Sequence, residues 1–168
     1  MLDQSTVESA LLKWMEEFVE VPHPALGGWP PCPFARSARM KRTFEVFLGS
    51  DPYFDLKNRA RWGMGNQEVV IYAYDPEEWP HDLFSSSLDH ANHDFLLAAD
   101  LLTLEDNPGD PEIVNGICMN QGTYALALVQ SLSDLDAKAR VMAAKGFYDS
   151  WPEEYLTALF QHRTDPRV

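Results

Sequence analysis

Residues 29–39 read WPPCPFARSAR, and the chemistry in this stretch belongs to Cys32. Pro33 suits the first position of a helix. That placing puts Cys32 at the N-cap, where free backbone N–H groups and the positive end of the helix dipole face the sulfur. Such a setting lowers a thiol pKa, and Arg36, one turn on, adds positive charge. His23, nine residues upstream, is the candidate general base for a Cys–His nucleophile, and, standing before Pro24, it also reads as a turn residue. Cys32 also reads as a small buried residue in a proline-stiffened loop, held between Trp29 and Phe34.

The same region carries the basic residues of an acidic chain. Between His23 and Gly65 seven cations stand against three carboxylates, a local charge of +4 in a molecule whose net charge is −13. Arg36, Arg39 and Arg61, with Trp29 as an apolar wall, form a receptor for a small anion such as a carboxylate or phosphate, because guanidinium forks and helix N–H groups converge on one negative group. The opposing reading is intramolecular. With 26 acidic residues in the chain, these cations can also be spent on neighbouring Glu and Asp.

A third chemistry lies in DHANHD (89–94). His90 and His93 are one turn apart on a helix and Asp94 is adjacent, which is the spacing of a shared metal ligand set. On the helical wheel His93 lies opposite the buried stripe and the His90/Asp94 pair on its flank. The segment therefore also reads as a solvated, ion-paired helix face.

The elements that must position these groups follow from periodicity. Val7, Leu11, Trp14, Met15 and Phe18 recur at helical spacing, and Ser5 with Glu8 makes a capping box, so residues 6–19 are predicted helical. Seven proline and glycine residues in 22–33 make a loop. TFEVFLG (43–49) and EVVIYAYD (68–75) are predicted strands of one sheet. Phe84, Leu88, Ala91, Phe95, Ala98 and Leu102 mark the buried stripe of one long helix, stopped by DNPGD at 106–110. Residues 112–119 and 123–132 are predicted to pair as a hairpin with Gly122 in its turn. Two helices then start near Ser133 and Ser150, separated by Gly146.

This order predicts a single α+β domain over residues 1–168, a four-stranded, largely antiparallel sheet covered by helices on one face as a two-layer sandwich. Its length and 45% hydrophobic content suit one real core. The negative charge argues against nucleic acid and anionic membranes as partners. No apolar run approaches the roughly 20 residues of a bilayer span. Two cysteines and no basic leader point to a reducing, cytoplasmic location.

Trp14 in the first helix, followed by Cys32-Pro33-Phe34-Ala35 and the basic Arg36, resembles an uncharacterised bacterial family of domains of unknown function that carries a Cys-Pro-Phe-Ala motif. Pro31 departs from that pattern, which has an apolar residue before the cysteine, and the resemblance implies no activity. From the residues themselves the leading expectation is a domain that binds a small anionic molecule at Cys32 and the adjacent arginines, with thiol chemistry open to it. The alternatives are an interaction protein that docks a protein partner through Trp29 and Phe34, and a metal-dependent enzyme using His90 and His93.

Overall fold

The computed structural model describes residues 1–168. Helix α1 (Gln4–Trp14) starts two residues before the expected point because Asp3, rather than Ser5, caps it: the Asp3 carboxylate accepts from the Thr6 N–H at 2.8 Å. The helix then widens into a π turn, Met15–Val19, closed by the Glu20 N–H donating to the Met15 carbonyl. Beyond the proline-rich loop come α2 (Ala35–Lys41), β1 (Phe44–Leu48), α3 (Pro52–Trp62) and β2 (Val69–Tyr74). Helix α4 (His81–Ala91) follows, continued by a second π turn, Asn92–Leu96. Then come β3 (Leu101–Asp106), the short strands β4 (Ile113–Val114) and β5 (Ile117–Cys118), β6 (Ala125–Ser131), α5 (Leu132–Ala144) and α6 (Glu153–Leu159).

The α+β fold with a four-stranded sheet is as expected. The sheet order is β1-β2-β6-β3, with β1 and β2 parallel and β6 antiparallel to both its neighbours. The parallel pair exists because α3 crosses over between its strands, a helix opened by Asp51 as N-cap and Pro52 at its first position.

Three expectations are corrected. The long helix over 84–102 ends early: Asp100 takes a left-handed conformation (φ 57°) and Leu102 belongs to β3. Residues 112–119 do not pair with 123–132 but fold on themselves as the β4–β5 hairpin, and β6 slots between β2 and β3 instead. Lastly, helices lie on both faces of the sheet. On one face α3 and α4 bury Leu56, Phe84, Leu88 and Ala91 against Val70, Tyr72 and Tyr74. On the other, α1 buries Val7 and Leu11 against Val46, Ile71 and Ala73, each of the larger side chains contributing about 1.5–3 kcal/mol. β2 (VVIYAY) carries only aliphatic and aromatic residues, which suits a strand buried on both sides.

The rest of that second face, formed by β6 and β3, is roofed by α5, α6 and the loop between them. These elements have their own apolar cluster around Met142, Phe147, Tyr148, Trp151 and Phe160. The C-terminal segment is tied down by Arg163, whose side chain is 5% exposed, bonds the Leu135 carbonyl at 3.2 Å and faces Asp136 at 3.5 Å.

Candidate functional site

Between the sheet and this roof lies a cavity of about 560 Å³. Its floor is Ile71 of β2, Leu128 and Gln130 of β6, and Leu102 and Leu104 of β3; its walls are Met15, Phe18 and Val19 of the first π turn, the segment Pro31–Ala35, and Met142, Phe147, Trp151 and Tyr155. Protein interiors pack to crystal density with few voids larger than a water molecule. Leu128, paired with Ile71 on one side and Leu104 on the other, is nonetheless only partly buried although β6 is an inner strand. The gap above it is the reason.

Four buried side-chain polar atoms in the chain have no hydrogen-bond partner: Trp14 Nε1, Trp151 Nε1, Glu105 Oε2 and Gln67 Oε1. Trp14, Trp151 and Glu105 line the cavity. Trp151 is 9% exposed, so its indole N–H is a donor kept from bulk water with nothing to donate to.

The cavity has two polar regions. In one, Glu68 accepts from the Thr43 hydroxyl and faces Lys138 at 3.3 Å, and Lys138 also meets Asp134 at 2.8 Å and lies 5.1 Å over the Phe34 ring. The Thr43 bond first, then Lys138, holds the Glu68 carboxyl below its ordinary value against the opposing effect of burial. A depressed folded pKa gives stability that is present above the unfolded value of about 4.3 and lost as pH falls through the folded one. Melting curves between pH 7 and pH 3 are therefore expected to show Glu68→Gln less stable than the natural chain at pH 7, with the gap closing in acid; a gap independent of pH would contradict this.

The other polar region is acidic: Glu105, Asp106 and Glu112 line it, with Tyr155 alongside. Burial pushes all three carboxyls up, and Glu112, which also feels Asp106, Asp110 and Glu105, reaches about 7. Asp106 is the best partnered, accepting from the Asn120 amide at 2.9 Å and the Gln121 N–H at 2.8 Å.

Of the residues singled out in the sequence, Cys32 lines the cavity and His23 does not. The Cys32 N–H donates to the Val19 carbonyl at 3.1 Å, which joins the proline loop to the π turn. Helix α2 begins at Ala35 rather than Pro33. The Phe34 and Ala35 amides do face the sulfur and favour the thiolate, but burial is the larger effect and pushes the Cys32 thiol up. His23 Nδ1 accepts from the Ala25 N–H at 3.4 Å, and His23 bridges to Trp29 across the loop. Trp29 is packed edge-on against Phe147.

Arg39 is spent on acids of the first π turn and its end, with two bonds to Glu20 at 2.8 and 2.9 Å and a contact to Glu16 at 3.1 Å. Arg36 and Arg61 are exposed and do not line the cavity. His90, His93 and Asp94 are exposed and do not converge: Asp94 accepts from the Tyr53 hydroxyl at 2.7 Å, His90 faces Ser86, and the His93 ring stands 5.6 Å from that of His162.

The residues that reading the sequence passed over are Leu104, Glu105, Glu112, Leu128, Trp151 and Tyr155. The one local signal was the density of acids in EDNPGDPE (105–112), which reads as a stop between elements. No helix of the chain is long and apolar enough to cross a membrane. The chain matches no protein family, no curated protein and no solved structure.

Proposed function

We propose that the protein binds a small, largely apolar molecule in the cavity between the sheet and α5–α6, with a hydrogen-bond acceptor on the ligand meeting the Trp151 indole N–H. The observation that carries this reading is the cavity itself. Its volume of about 560 Å³ falls within the roughly 300–1,000 Å³ of small-molecule sites, and its apolar lining with a few unsatisfied polar atoms is the composition such sites have. The carboxylates at one end disfavour an anionic ligand there, so the favoured body is neutral.

This reading keeps the expected pocket beside Cys32 and changes its chemistry. Anion binding by the arginines draws little support, since Arg39 is already neutralised and Arg36 lies outside. Thiol catalysis draws little, since burial favours the neutral sulfur. A docking surface built on Trp29 and Phe34 draws little, since both rings are packed inward.

Leu128→Trp tests it by placing an indole where the ligand body would lie. A neutral apolar fluorophore, 1-aminoanthracene, is expected to brighten with the natural chain at a single saturable site and to bind at least tenfold more weakly to Leu128→Trp, whose melting temperature is kept or raised because a void has been filled. No saturable site, or equal binding by the folded variant, overturns the reading.

A further inference from the structure

Beside the acidic end of the cavity is a tight cleft, with no room for a water molecule, whose lining contains no apolar residue: His81, Glu105, Asp106, Asn107, Asp110, Glu112 and Asn120. Four of these seven are carboxylic acids, and no Lys or Arg lines the cleft. The structure assigns to His81, Glu105 and Asp110 a binding site for one divalent metal ion, of which Glu105 also lines the cavity.

The geometry is that of a chelating set. His81 Nε2 stands 3.8 Å from Glu105 Oε1 and 3.3 Å from Asp110 Oδ2, and one ligand atom from each residue falls within 4.8 Å of the others. Metal–ligand bonds of about 2.0–2.2 Å place neighbouring donor atoms about 3–4 Å apart, so both His81 pairs already stand at ligand spacing, and a small side-chain rotation closes the third. Each residue is held by a different piece of structure: His81 opens α4, Glu105 lies in β3 and Asp110 in the loop that follows. The set is thus preorganised by the fold and is not a run of acids on one surface.

A second observation points to an occupant. Glu105 Oε2 is sealed from solvent and has no donor, while the neighbouring Ser85 hydroxyl reaches only Oε1, at 3.1 Å. An unpartnered buried oxygen costs stability, and a cation bound to the same carboxylate through Oε1, the oxygen nearer His81, lowers that cost by neutralising the group. The two asparagines are already committed in ways that shape the loop around the cleft. Asn107 bonds the Trp79 carbonyl and the Gly109 N–H, and Asn120 ties Asp106 to the backbone of Asn107 and Glu112.

One imidazole with two or more carboxylates selects the first-row divalent ions from Mn²⁺ to Zn²⁺ over Ca²⁺, which takes oxygen ligands alone. The site does not depend on the cavity's having a ligand. It differs from the His90/His93 reading in every residue, and the test separates the two.

Full-length protein stripped with chelator and titrated with Mn²⁺, the free ion followed by paramagnetic resonance, is expected to bind one ion per chain and to melt at a higher temperature when loaded. Asp110→Asn and His81→Gln are each expected to weaken binding at least tenfold, and the His90→Ala/His93→Ala double variant to leave it unchanged. The Asp110 side chain is 56% exposed, so its variant keeps the fold, and circular dichroism of the stripped proteins checks both. Absence of one-to-one binding, full binding by either single variant, or loss in the double variant overturns the assignment.

Discussion

Asn92→Ala is expected to cost roughly 2–5 kcal/mol of folding stability, from two buried backbone groups left unpaired at about 1–3 kcal/mol each. β3 is an edge of the sheet, and the outward backbone groups of Thr103 at its middle are met not by another strand but by this one side chain. The Asn92 amide donates to the Thr103 carbonyl at 3.1 Å, and its oxygen accepts from the Thr103 N–H at 2.9 Å. Both residues are 4% exposed, so water cannot replace the amide without opening the packing. For a chain of this size about 2–4 °C of melting temperature accompanies each kcal/mol, so the shift is easily read in a thermal melt. The exposed neighbour His93, changed to Ala, serves as control and is expected to shift stability little. Because Leu102, Leu104 and Glu105 on the same strand line the cavity, hydrogen exchange of the Thr103 amide should quicken together with a loss of apolar probe binding. An Asn92→Ala chain as stable as its parent would mean that the edge is not held in this way.

Gly49→Ala is expected to be as damaging for a purely steric reason. A Cβ at position 49 would stand 2.0 Å from one ring carbon of Tyr74 and 2.3 Å from the next. The ring cannot retreat: Tyr74 is 1% exposed, packs against Trp79 and Phe84, and donates its hydroxyl to Asp55 at 3.0 Å. The backbone cannot retreat either, since the Gly49 N–H continues the β1–β2 ladder to the Ala73 carbonyl at 2.9 Å. Overpacking in a rigid core costs on the order of 3 kcal/mol. Denaturant unfolding of Gly49→Ala, beside Gly122→Ala where nothing stands within 4 Å, separates crowding from the backbone preference of a glycine with positive φ. Equal losses in the two variants would remove the steric account.

The sequence placed the strands at 43–49 and 68–75 well, because branched and aromatic residues crowd into them. It missed how they join, since DPYFDLKNRARW has only a weak apolar stripe, although Asp51-Pro52 is a sound helix start. The stripe through Phe84, Leu88 and Ala91 was legible, but its continuation was not. The π turn at Asn92–Leu96 adds a residue to one turn and rotates the next, so Leu96 is fully buried where a regular helix would have carried Phe95 inward, and Ala98 is exposed. No residue spacing announces that insertion.

The candidate site was legible only at its wall. The prolines around Cys32 ensured a fixed loop, and that loop does border the cavity. The floor and roof come from Leu104, Leu128 and Trp151, which are ordinary core residues in the sequence and acquire a role only when β6 inserts beside β3. His81 and Asp110 were invisible for the same reason, being 29 positions apart in the sequence with no motif between them. The histidines that were close in sequence, His90 and His93, did not come together on a ligand, because nearness along a helix does not supply donors from other elements.

The strand order β1-β2-β6-β3 has a consequence for the birth of the molecule. During synthesis β1, β2 and β3 all leave the ribosome before the strand that joins two of them, and the cavity floor does not exist until Ser131 has emerged. Until then β2 and β3 present bare hydrogen-bonding edges of strongly apolar sequence, the state in which nascent chains are most exposed to wrong pairing. The late arrival of β6 makes its emergence the step that closes the sheet and creates the binding chamber together.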